Sequence, residues 1–539
     1  MHRERTRNEY EKENEWQPAA ARRCPVNIPL LSLLIFTPWV GALLLFVLRR
    51  RLSASLGRIL PILFSLSTLI LGGIVLARFN PVITGMQFTE KHAWITALNV
   101  HYHIGLDGLS LVLVLLTGII SPLALFGPTR QVRCPAIHGA LFLLLQGSAL
   151  GVFLALDFFP WFVFWELSLV PAFFLIKLWG GPGAARAAYQ FVIYTIGGSA
   201  FMLLGFAAIF AETRTFDFLE LKLISMGGQA PILFGGAATT WVFLGVLLGL
   251  AVKVPLFPFH AWLPPAYAEA PTGTSMFLTS VMSKMGAYGF LRILWPLFPL
   301  QFHAAAPILL WLALGGVVLS AFAAMKQTDL KRMVAYSSIN HLSYCLLAMC
   351  AVATAGPVNP AFPAVMIGTS ESGIAALSGT ILQLFNHGLS AAALFFCVGV
   401  LESRTGGLRG LGDFGGVRTA APVFAGLCGI ALFSSLGLPG LNGFIGEFLI
   451  FRGVFGLAPW VAAVATLGLL ATALFLLTFW QRVFHGPATG AGVNFRDLDA
   501  TEIATLGPLI VLMFVLGIFP QLLAGLINPL VTTWAATLP

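Results

Sequence analysis

The stretch LGLAVKVPLFPFHAWLPPA, residues 248–266, decides the fold because it sets a lysine, a histidine and four prolines within an apolar run. Proline removes a backbone N–H group and kinks a helix. Such a break is tolerated at membrane depth only where protein or a hydrated cavity satisfies the freed backbone groups. The stretch therefore predicts an interrupted membrane helix that holds Lys253 and His260 inside the protein.

The sequence around this stretch is equally apolar. Of its 539 residues, 58% are hydrophobic and 9% are charged, which leaves little length for a water-facing domain. Apolar runs of about 17 to 25 residues recur, and each can cross a hydrocarbon core of roughly 30 Å as a helix. The runs do not alternate as barrel strands do, so an all-α integral membrane protein is predicted. Its fourteen predicted transmembrane helices occupy residues 28–48, 56–77, 105–126, 137–156, 159–179, 190–211, 239–266, 272–294, 305–325, 330–352, 374–400, 421–456, 460–484 and 505–528.

A second interruption is predicted in the twelfth span, where SSLGLPGLNGFIGEF, residues 434–448, contains a proline and four glycines. It lies five spans after the break in the seventh span. Because an odd offset inverts topology, spans four to eight and nine to thirteen are candidates for inverted repeats; two unrelated kinks are the alternative. The predicted units are a polar N-terminal tail at 1–25, helices 1–3 at 26–130, a first repeat at 131–300, a second at 301–486 and a C-terminal helix 14 at 487–539.

Several classes of function lack sequence support. The six cysteines form no CxxC pair and no Cys/His cluster with iron–sulfur or zinc spacing, so we expect no redox centre or metal in this chain. The net charge of +9 is spread over the loops, so nucleic acid is not an expected partner. Gly410, Gly412 and Gly415 match G-x-G-x-x-G, but no strand precedes them and a dinucleotide fold is not indicated.

Loop charges give an orientation. Sixteen loop lysines and arginines follow odd-numbered spans, Lys331 among them, and six follow even-numbered spans, Arg292 among them. By the positive-inside rule the odd loops face the cytoplasm and both termini lie on the outer side. The charged tail at 1–25 lacks the apolar core of a signal peptide, and its basic residues oppose this orientation.

This count leaves two basic residues within the spans, Lys253 and Lys284. Glu166 in FWELSLVP and Glu447 in GFIGEF are the clearest acids within the spans. A charge at the membrane centre costs on the order of 3 kcal/mol even on the lenient insertion scale. Snorkelling or one structural ion pair would explain a single lysine near a span end. Four such residues instead suggest a proton relay, in which a buried lysine with a movable carboxylate partner switches its charge.

Three histidines could extend this relay, because imidazoles titrate near neutrality. They are His260, His341 in YSSINHLSY and His387 in LFNHGLS. A lone histidine is more often a hydrogen-bonded packing residue. The prediction that histidines extend the relay therefore rests on the three together and not on any one of them.

The segments FWELSLVPAFFLI, VKVPLFPFHAWLPPAYAEAPT, SKMGAYGFLRI, KRMVAYSSINHLSY, LFNHGLSAAALF and LPGLNGFIGEF together resemble the antiporter-like proton-pumping subunits of respiratory NADH:quinone oxidoreductase, complex I. The resemblance covers roughly residues 100 to 500 and is greatest to the M-type subunits. Glu447 supports this type, because N- and L-type subunits usually have lysine there. An L-type chain would also continue into a long lateral helix.

The resemblance implies fourteen helices with inverted five-helix repeats and broken seventh and twelfth helices. It implies that Glu166 pairs with Lys253, that Lys284 is the central relay lysine, and that Glu447 is the terminal group near the outward exit. His260, His341 and His387 would be relay or hydration-site residues. Where the family commonly has Asp and His, this chain has Pro265 and Tyr267. A proton-uptake role for those two positions is therefore in doubt.

The expected partners are other membrane-arm subunits, namely L- and N-type antiporter-like neighbours and a small K-type subunit, together with lipids in a bacterial inner membrane. FMN, iron–sulfur clusters and quinone are expected in other subunits. Quinone reduction elsewhere would open the Glu166–Lys253 pair and send a proton through Lys284 and the histidines to Glu447. The alternatives are a subunit of a multisubunit Na+/H+ antiporter, of a complex I-like hydrogenase or of an inorganic-carbon uptake complex, or a structural spacer.

Overall fold

The computed structural model describes residues 28–127, 132–225, 237–355, 371–492 and 495–537. The predicted polar tail at 1–25 lies outside these ranges. Eleven helices in the described ranges are long and apolar enough to cross a membrane. The other three predicted spans, the seventh, eighth and twelfth, are divided into shorter segments. The all-helical membrane fold is confirmed, while the count of fourteen spans and the repeats stay predictions.

The first half of the chain contains α1 Leu30–Leu48, α2 Ala54–Arg78, α3 Gly108–Phe126, α4 Pro135–Leu154, α5 Phe158–Trp179, α6 Ala184–Thr213, the short α7 Phe218–Ile224, α8 Ala237–Lys253 and α9 Leu263–Glu269. Helix α10 runs over 272–297 as Thr272–Phe277, Ser283–Gly289 and Trp295–Leu297, joined by π-helical turns Leu278–Met282 and Phe290–Leu294. The second half contains α11 Pro299–Met325, α12 Leu330–Ala355, α13 Glu371–Arg404, the single turn α14 Val417–Ala420, α15 Pro422–Ser435, α16 Asn442–Leu457, α17 Pro459–Phe484, α18 Ala500–Ile518 and α19 Gln521–Thr537.

Both predicted interruptions are confirmed. Helix α8 ends at Lys253 and α9 begins at Leu263, and the indole Nε1 of Trp262 donates to the carbonyl of Val252, 2.9 Å away, across the break. In the twelfth span α15 ends at Ser435 and α16 begins at Asn442. A protein group thus replaces a helical hydrogen bond at the first break, as the membrane environment requires.

The C-terminal prediction was wrong in one respect. The expected single helix at 505–528 is two helices, α18 and α19, separated at Phe519 and Pro520. Proline disfavours the α conformation of the residue before it, and Phe519 accordingly leaves the helical region with φ −120° and ψ 62°. Helix α19 then packs on α3 so closely that a Cβ on Gly108 would lie 2.3 Å from the carbonyl oxygen of Leu526.

The loop between α2 and α3 contains an antiparallel hairpin that the sequence analysis missed, with strands β1 Gln87–Ile95 and β2 Val100–Leu106. A second, two-residue pair joins β3 Phe414–Gly415 to β4 Thr489–Gly490.

Asp217, before α7, attaches this hairpin to the helices. Its Oδ2 lies 2.7 Å from Nδ1 of His103 on β2 and 2.9 Å from Nζ of Lys91 on β1. Burial alone would raise the pKa of Asp217, but the hydrogen bonds and charges of His103 and Lys91 outweigh burial and hold that pKa well below its usual range. Asp217 therefore fixes the hairpin through its charge.

Asp217→Asn is expected to loosen the hairpin, because Asn can still cap α7 but carries no charge. A depressed carboxyl pKa stabilises the fold above its unfolded value near 4, and this contribution is lost as the pH falls through the folded value. At neutral pH the opening free energy of β1 and β2 should fall by about 1–3 kcal/mol, measured by amide hydrogen exchange. Glu220→Gln, which removes the exposed partner of Lys91, is the control. Equal exchange in both variants would contradict the role of Asp217.

Two basic residues assigned to loops are in fact inside the protein. Lys331 lies in the first turn of α12 with 2% of its surface exposed, and Arg292 lies in α10 with 8% exposed. Each is neutralised by an acid, Lys331 by Glu402 at 2.5 Å and Arg292 by Asp107 at 2.6 Å. Hydropathy alone placed them at span ends, whereas the long helices carry their side chains inward.

Candidate functional site

Four of the seven predicted site residues lie next to one another in a buried row inside the helix bundle, which we call a file. Lys284 lies on α10, His387 on α13, His341 on α12 and Glu447 on α16. Each has 6% or less of its surface exposed. Groups that were 46 to 163 positions apart in sequence are therefore held at neighbouring positions in the interior.

Lys284 is the first member of this file. Its Nζ lies 2.5 Å from the carbonyl oxygen of Thr279, 3.3 Å from Oγ of Ser283 and 2.7 Å from Nδ1 of His387. An ammonium group has three N–H donors and no acceptor. Its three polar neighbours therefore match a protonated lysine, with a neutral His387 accepting at Nδ1.

The rings of His387 and His341 lie between Lys284 and Glu447. The ring centroids of His387 and His341 are 5.0 Å apart. Nδ1 of His341 lies 3.0 Å from Oε1 of Glu447, and Nε2 lies 3.3 Å from Oγ of Ser435. The amide of Gln383 donates to the same Glu447 oxygen at 3.2 Å and lies 3.3 Å from Nδ1 of His341. His341 can thus donate to Glu447 or accept from Gln383, which gives it two hydrogen-bonding states.

Close helix packing positions Glu447. A Cβ on Gly379 of α13 would lie 2.6 Å from the backbone nitrogen of Ile450, and one on Gly446 would lie 2.4 Å from Oε1 of Gln383. These glycines let α13 and α16 approach closely enough for Gln383 to reach Glu447. Gly437, with φ +76°, turns the chain beside the carboxylate, where a Cβ would lie 2.7 Å from Oε2.

Asparagines satisfy the backbone of the second break. The side-chain amide of Asn386 donates to the carbonyl of Asn442 at 2.8 Å, and Asn442 donates back to the carbonyl of Asn386 at 3.1 Å. Oγ of Ser434 donates to Oδ1 of Asn442 at 2.6 Å. The break is therefore a fixed structure next to the relay, and Asn386 serves it one residue before His387.

Glu166 and Lys253 form a separate cluster. Lys253 has 1% of its surface exposed, and its Nζ lies 5.0 Å above the ring of Trp165 and 5.9 Å above that of Phe191. Within the described part of the chain, Nζ of Lys253 and Oε1 of Glu166 are both buried without a hydrogen-bond partner. Lys253 and Glu166 interact through their charges but make no direct hydrogen bond to each other, so their role as a functional pair stays a prediction. Cation–π contacts supply part of the interaction that a charged Lys253 needs.

The two clusters meet through the first helix break. Glycine at position 286 brings α10 against the residue after Lys253, because a Cβ there would lie 2.6 Å from the backbone nitrogen of Val254. Gly286 is two residues from Lys284. The end of α8 is therefore in direct contact with the helix that carries Lys284.

His260 lies outside the hydrogen-bonded file. Its ring stacks on Phe257 at 5.3 Å, and its Nδ1 is buried with no partner among the described residues. It lines a cavity of about 160 Å³ with Ser320 of α11 and Tyr336 of α12. A connection between His260 and Lys284 therefore stays a prediction.

Sequence analysis did not single out Gln383, Ser435 or the buried pair Arg292–Asp107. Gln383 precedes His387 by four residues, which is the spacing of one helix face and a signal that could have identified it. Arg292 was counted with the loops. In the ranges that the structure describes, no group of three or more His, Cys, Asp or Glu side chains could hold a metal ion. Lysine, imidazole and carboxylate groups at the distances found in the Lys284–Glu447 file can exchange protons with one another.

Comparison with known proteins identifies the family of this chain. Residues 155–363 and 362–474 match the family described as "NADH:quinone oxidoreductase/Mrp antiporter, TM". The chain belongs to this family. Family members among curated proteins include subunit M of the NADH-quinone oxidoreductase of Mycobacterium tuberculosis, which is 34% identical over 95% of both chains. Subunit M of the F(420)H(2) dehydrogenase of Methanosarcina mazei is 34% identical over 92% of this chain and 95% of the relative.

A solved member of the NADH:quinone oxidoreductase/Mrp antiporter family shares the fold. A chain of respiratory complex I from Thermus thermophilus with bound NADH superposes with a TM-score of 0.79 at 30% identity, over 94% of this chain and 99% of that one. These matches confirm the resemblance inferred from the sequence motifs, including the M type. The chain is a multi-pass membrane protein.

Proposed function

We propose that this chain is a proton-translocating membrane-arm subunit of a respiratory NADH:quinone oxidoreductase, coupled to quinone reduction in other subunits. The observation that carries this function is the file Lys284–His387–His341–Glu447. Its ends are a lysine with three hydrogen-bond acceptors and a carboxylate that contacts an imidazole. No part of this arrangement is needed for packing alone, since buried charged groups cost several kcal/mol each in a membrane.

The proposed step begins with Lys284 protonated. Transfer of one proton to Nδ1 of His387, 2.7 Å away, leaves a neutral amine that keeps the hydroxyl of Ser283 as a partner. The proton then passes to His341 and to Glu447, which releases it on the outer side. Lys253 acts earlier: a change in its separation from Glu166 alters the charge beside α10 and sets the moment at which Lys284 gives up its proton.

The wider arrangement follows the same proposal. The units at 131–300 and 301–486 are the two inverted repeats, and each contains one broken helix and one half of the relay. The loops after odd-numbered spans face the cytoplasm of a bacterial inner membrane, with both termini outside. L-, N- and K-type subunits are the neighbours, and this chain holds no redox cofactor, since FMN and iron–sulfur clusters belong to other subunits.

A different electron donor is the second candidate, because the F(420)H(2) dehydrogenase relative is as similar as the M. tuberculosis subunit. Co-purification separates these assignments. NADH-oxidising flavin and iron–sulfur subunits should accompany this chain if it serves complex I. Recovery with F(420)H(2)-oxidising subunits would assign it to the second candidate, and recovery with antiporter subunits alone would assign it to an Mrp-type complex.

Glu447→Gln tests the function directly. The variant keeps the size of the side chain and its capacity for hydrogen bonds but cannot accept a proton. Proton transfer through this chain should fall by a factor on the order of 10². Proton uptake per quinone reduced by the whole complex should then fall by the contribution of this chain. The measurement uses the complex reconstituted in liposomes, with assembly quantified in parallel. Glu371→Gln, an acid that is 89% exposed and paired with Arg452, is the matched control. Normal pumping by an assembled Glu447→Gln complex would rule out Glu447 as the terminal group.

A further inference from the structure

The cytoplasmic end of the bundle contains an ion cluster that the relay does not use. Glu269 ends α9, Asp329 precedes α12, Glu402 lies near the end of α13, and Arg409 and Lys331 lie among them. Three carboxylates therefore face two cations. The loops that meet here all follow odd-numbered spans, so the cluster lies on the side that the loop charges assign to the cytoplasm.

Arg409 is committed to two of the three acids. It contacts Glu269 at 2.6 Å and Asp329 at 2.8 Å, whereas Glu402 lies 3.7 Å away. Burial alone would lower the pKa of Arg409, but Asp329, Glu269 and Glu402 raise it above its usual value, so the guanidinium stays charged. Its Nη1 also donates to the carbonyl of Ala268 at 2.6 Å. Arg409 is thus a fixed member that holds the cluster together.

Glu402 and Lys331 form the other pair, and their exposures differ. The Glu402 side chain is 24% exposed and the Lys331 side chain 2% exposed, with Oε2 and Nζ 2.5 Å apart. The pair therefore joins the aqueous surface to the interior. Lys331 reaches further inward, because its Nζ lies 3.3 Å from the carbonyl of Ala270, two residues before the start of α10.

Buried hydroxyls lie at intervals along α10 and α12 between that carbonyl and Lys284. Oγ of Ser275 donates to the same Ala270 oxygen at 3.1 Å. One helical turn on, Oγ1 of Thr279 lies 2.8 Å from Oγ of Ser338, seven residues after Lys331 on α12. Oγ of Ser283 then donates to the carbonyl of Thr279 at 2.7 Å and lies 3.3 Å from Nζ of Lys284. We call Ser275, Thr279, Ser338 and Ser283 the hydroxyl file; each is completely buried.

A buried threonine adjoins the hydroxyl file at the end nearest Lys331. Thr274, next to Ser275, is completely buried, and its Oγ1 has no hydrogen-bond partner among the described residues. A buried hydroxyl without a partner is costly, so such groups normally bind water. The hydroxyl file therefore adjoins a polar group that is free to bind a water molecule.

The opposite end of α10 offers no comparable path. Arg292 is held by Asp107 at 2.6 Å and by the hydroxyl of Tyr288 at 3.2 Å. Arginine does not give up its proton in proteins. The ion pair at that end is neutral and its guanidinium does not exchange a proton, whereas the Glu402 end carries an excess carboxylate.

We propose that Glu402 takes up the proton from the cytoplasmic side and that Lys331 passes it to Lys284 through water molecules bound along the hydroxyl file, an inference that rests on the proposed function. Glu402 binds a proton from water and becomes neutral, which releases the ammonium of Lys331 from its counter-ion. Lys331 gives one proton inward and regains one from Glu402, so the pair returns to its starting charge. This route supplies the uptake group in a chain that has Pro265 and Tyr267 where its family has Asp and His.

The test measures proton uptake per quinone reduced in the complex reconstituted in liposomes, with the outside pH varied from 6 to 8. Glu402→Gln should lower uptake by about tenfold at pH 8, because an acidic funnel raises proton arrival by at least that factor. The deficit should shrink at pH 6, since a higher proton concentration compensates for the missing acceptor. Glu402→Asp should restore uptake. A purely structural role of Glu402 would lower assembly and give a deficit that does not depend on pH.

Two further variants separate the possible results. Lys331→Arg keeps the pair with Glu402 but cannot release a proton, so its deficit should persist at pH 6; this variant decides the matter if Glu402→Gln fails to assemble. Glu371→Gln is again the control. Normal uptake in both Glu402→Gln and Lys331→Arg, with uptake lost in Lys284→Gln, would overturn the route and leave the proposed function standing. Normal uptake in all three would overturn the proposed function as well.

Discussion

Lys284→Gln is expected to abolish proton transport through this chain while the complex still assembles. Glutamine has nearly the volume of lysine, so the fully buried site is not emptied and no large cavity penalty arises. Its amide can still donate to Thr279 or His387. It cannot carry a proton, so the group that connects the hydroxyl file before it with the histidines after it is lost.

The measurement is proton uptake per quinone reduced, normalised to the amount of this chain in the purified complex. Loss on the order of 10²-fold in this path is expected, the scale on which a positioned proton-transfer group acts. Lys326→Gln is the matched control, because Lys326 is an exposed lysine at the end of α11. If Lys284→Gln pumped at the rate of this control, His387 would have to be reached by another donor and Lys284 would be a structural residue.

Much of the fold was predictable because the membrane thickness sets the length of the apolar segment that each spanning helix needs. The helix breaks were predictable as well, since Pro255 and Pro258 in one span and Pro439 in another cannot continue a regular helix. The hairpin at 87–106 was not, because its strands mix polar and apolar residues without a regular alternation. The split at Phe519 was missed although Pro520 signals it, since the apolar composition continues across that position.

The sequence predicted which residue types form the relay, but it predicted few of the contacts between them. Charged residues in apolar spans identified Lys284 and Glu447, and the His341–Glu447 contact of 3.0 Å joins two of the predicted residues. Sequence gives no distances, so it could not tell that His260 lies apart or that Lys253 and Glu166 are not hydrogen-bonded. It also counted Arg292 and Lys331 with the loops, because each lies within two residues of the end of a predicted span.

Arg292→Leu is expected to destabilise the chain strongly. Arg292 contacts Asp107 at 2.6 Å, and the Asp107 side chain is 2% exposed. Removal of the guanidinium leaves that carboxylate buried without a counter-ion, which costs about 3–5 kcal/mol. Asp107 also caps α3 through the backbone N–H of Ser110, so movement of the acid would disturb the start of that helix. We expect a low yield of this chain in the purified complex and a lower midpoint of thermal inactivation.

The double variant Arg292→Leu with Asp107→Asn separates charge from packing. Asparagine still caps a helix but carries no charge, so the uncompensated carboxylate is gone and most of the lost yield and thermal stability should return. Arg452→Leu is the matched control, since its pair with Glu371 is 54% and 89% exposed and such pairs contribute about 0–1 kcal/mol. If the double variant were as unstable as Arg292→Leu alone, the loss would come from the missing bulk and the bond to Tyr288. In that case the buried charge of Asp107 would not be what requires an arginine at this end of α10.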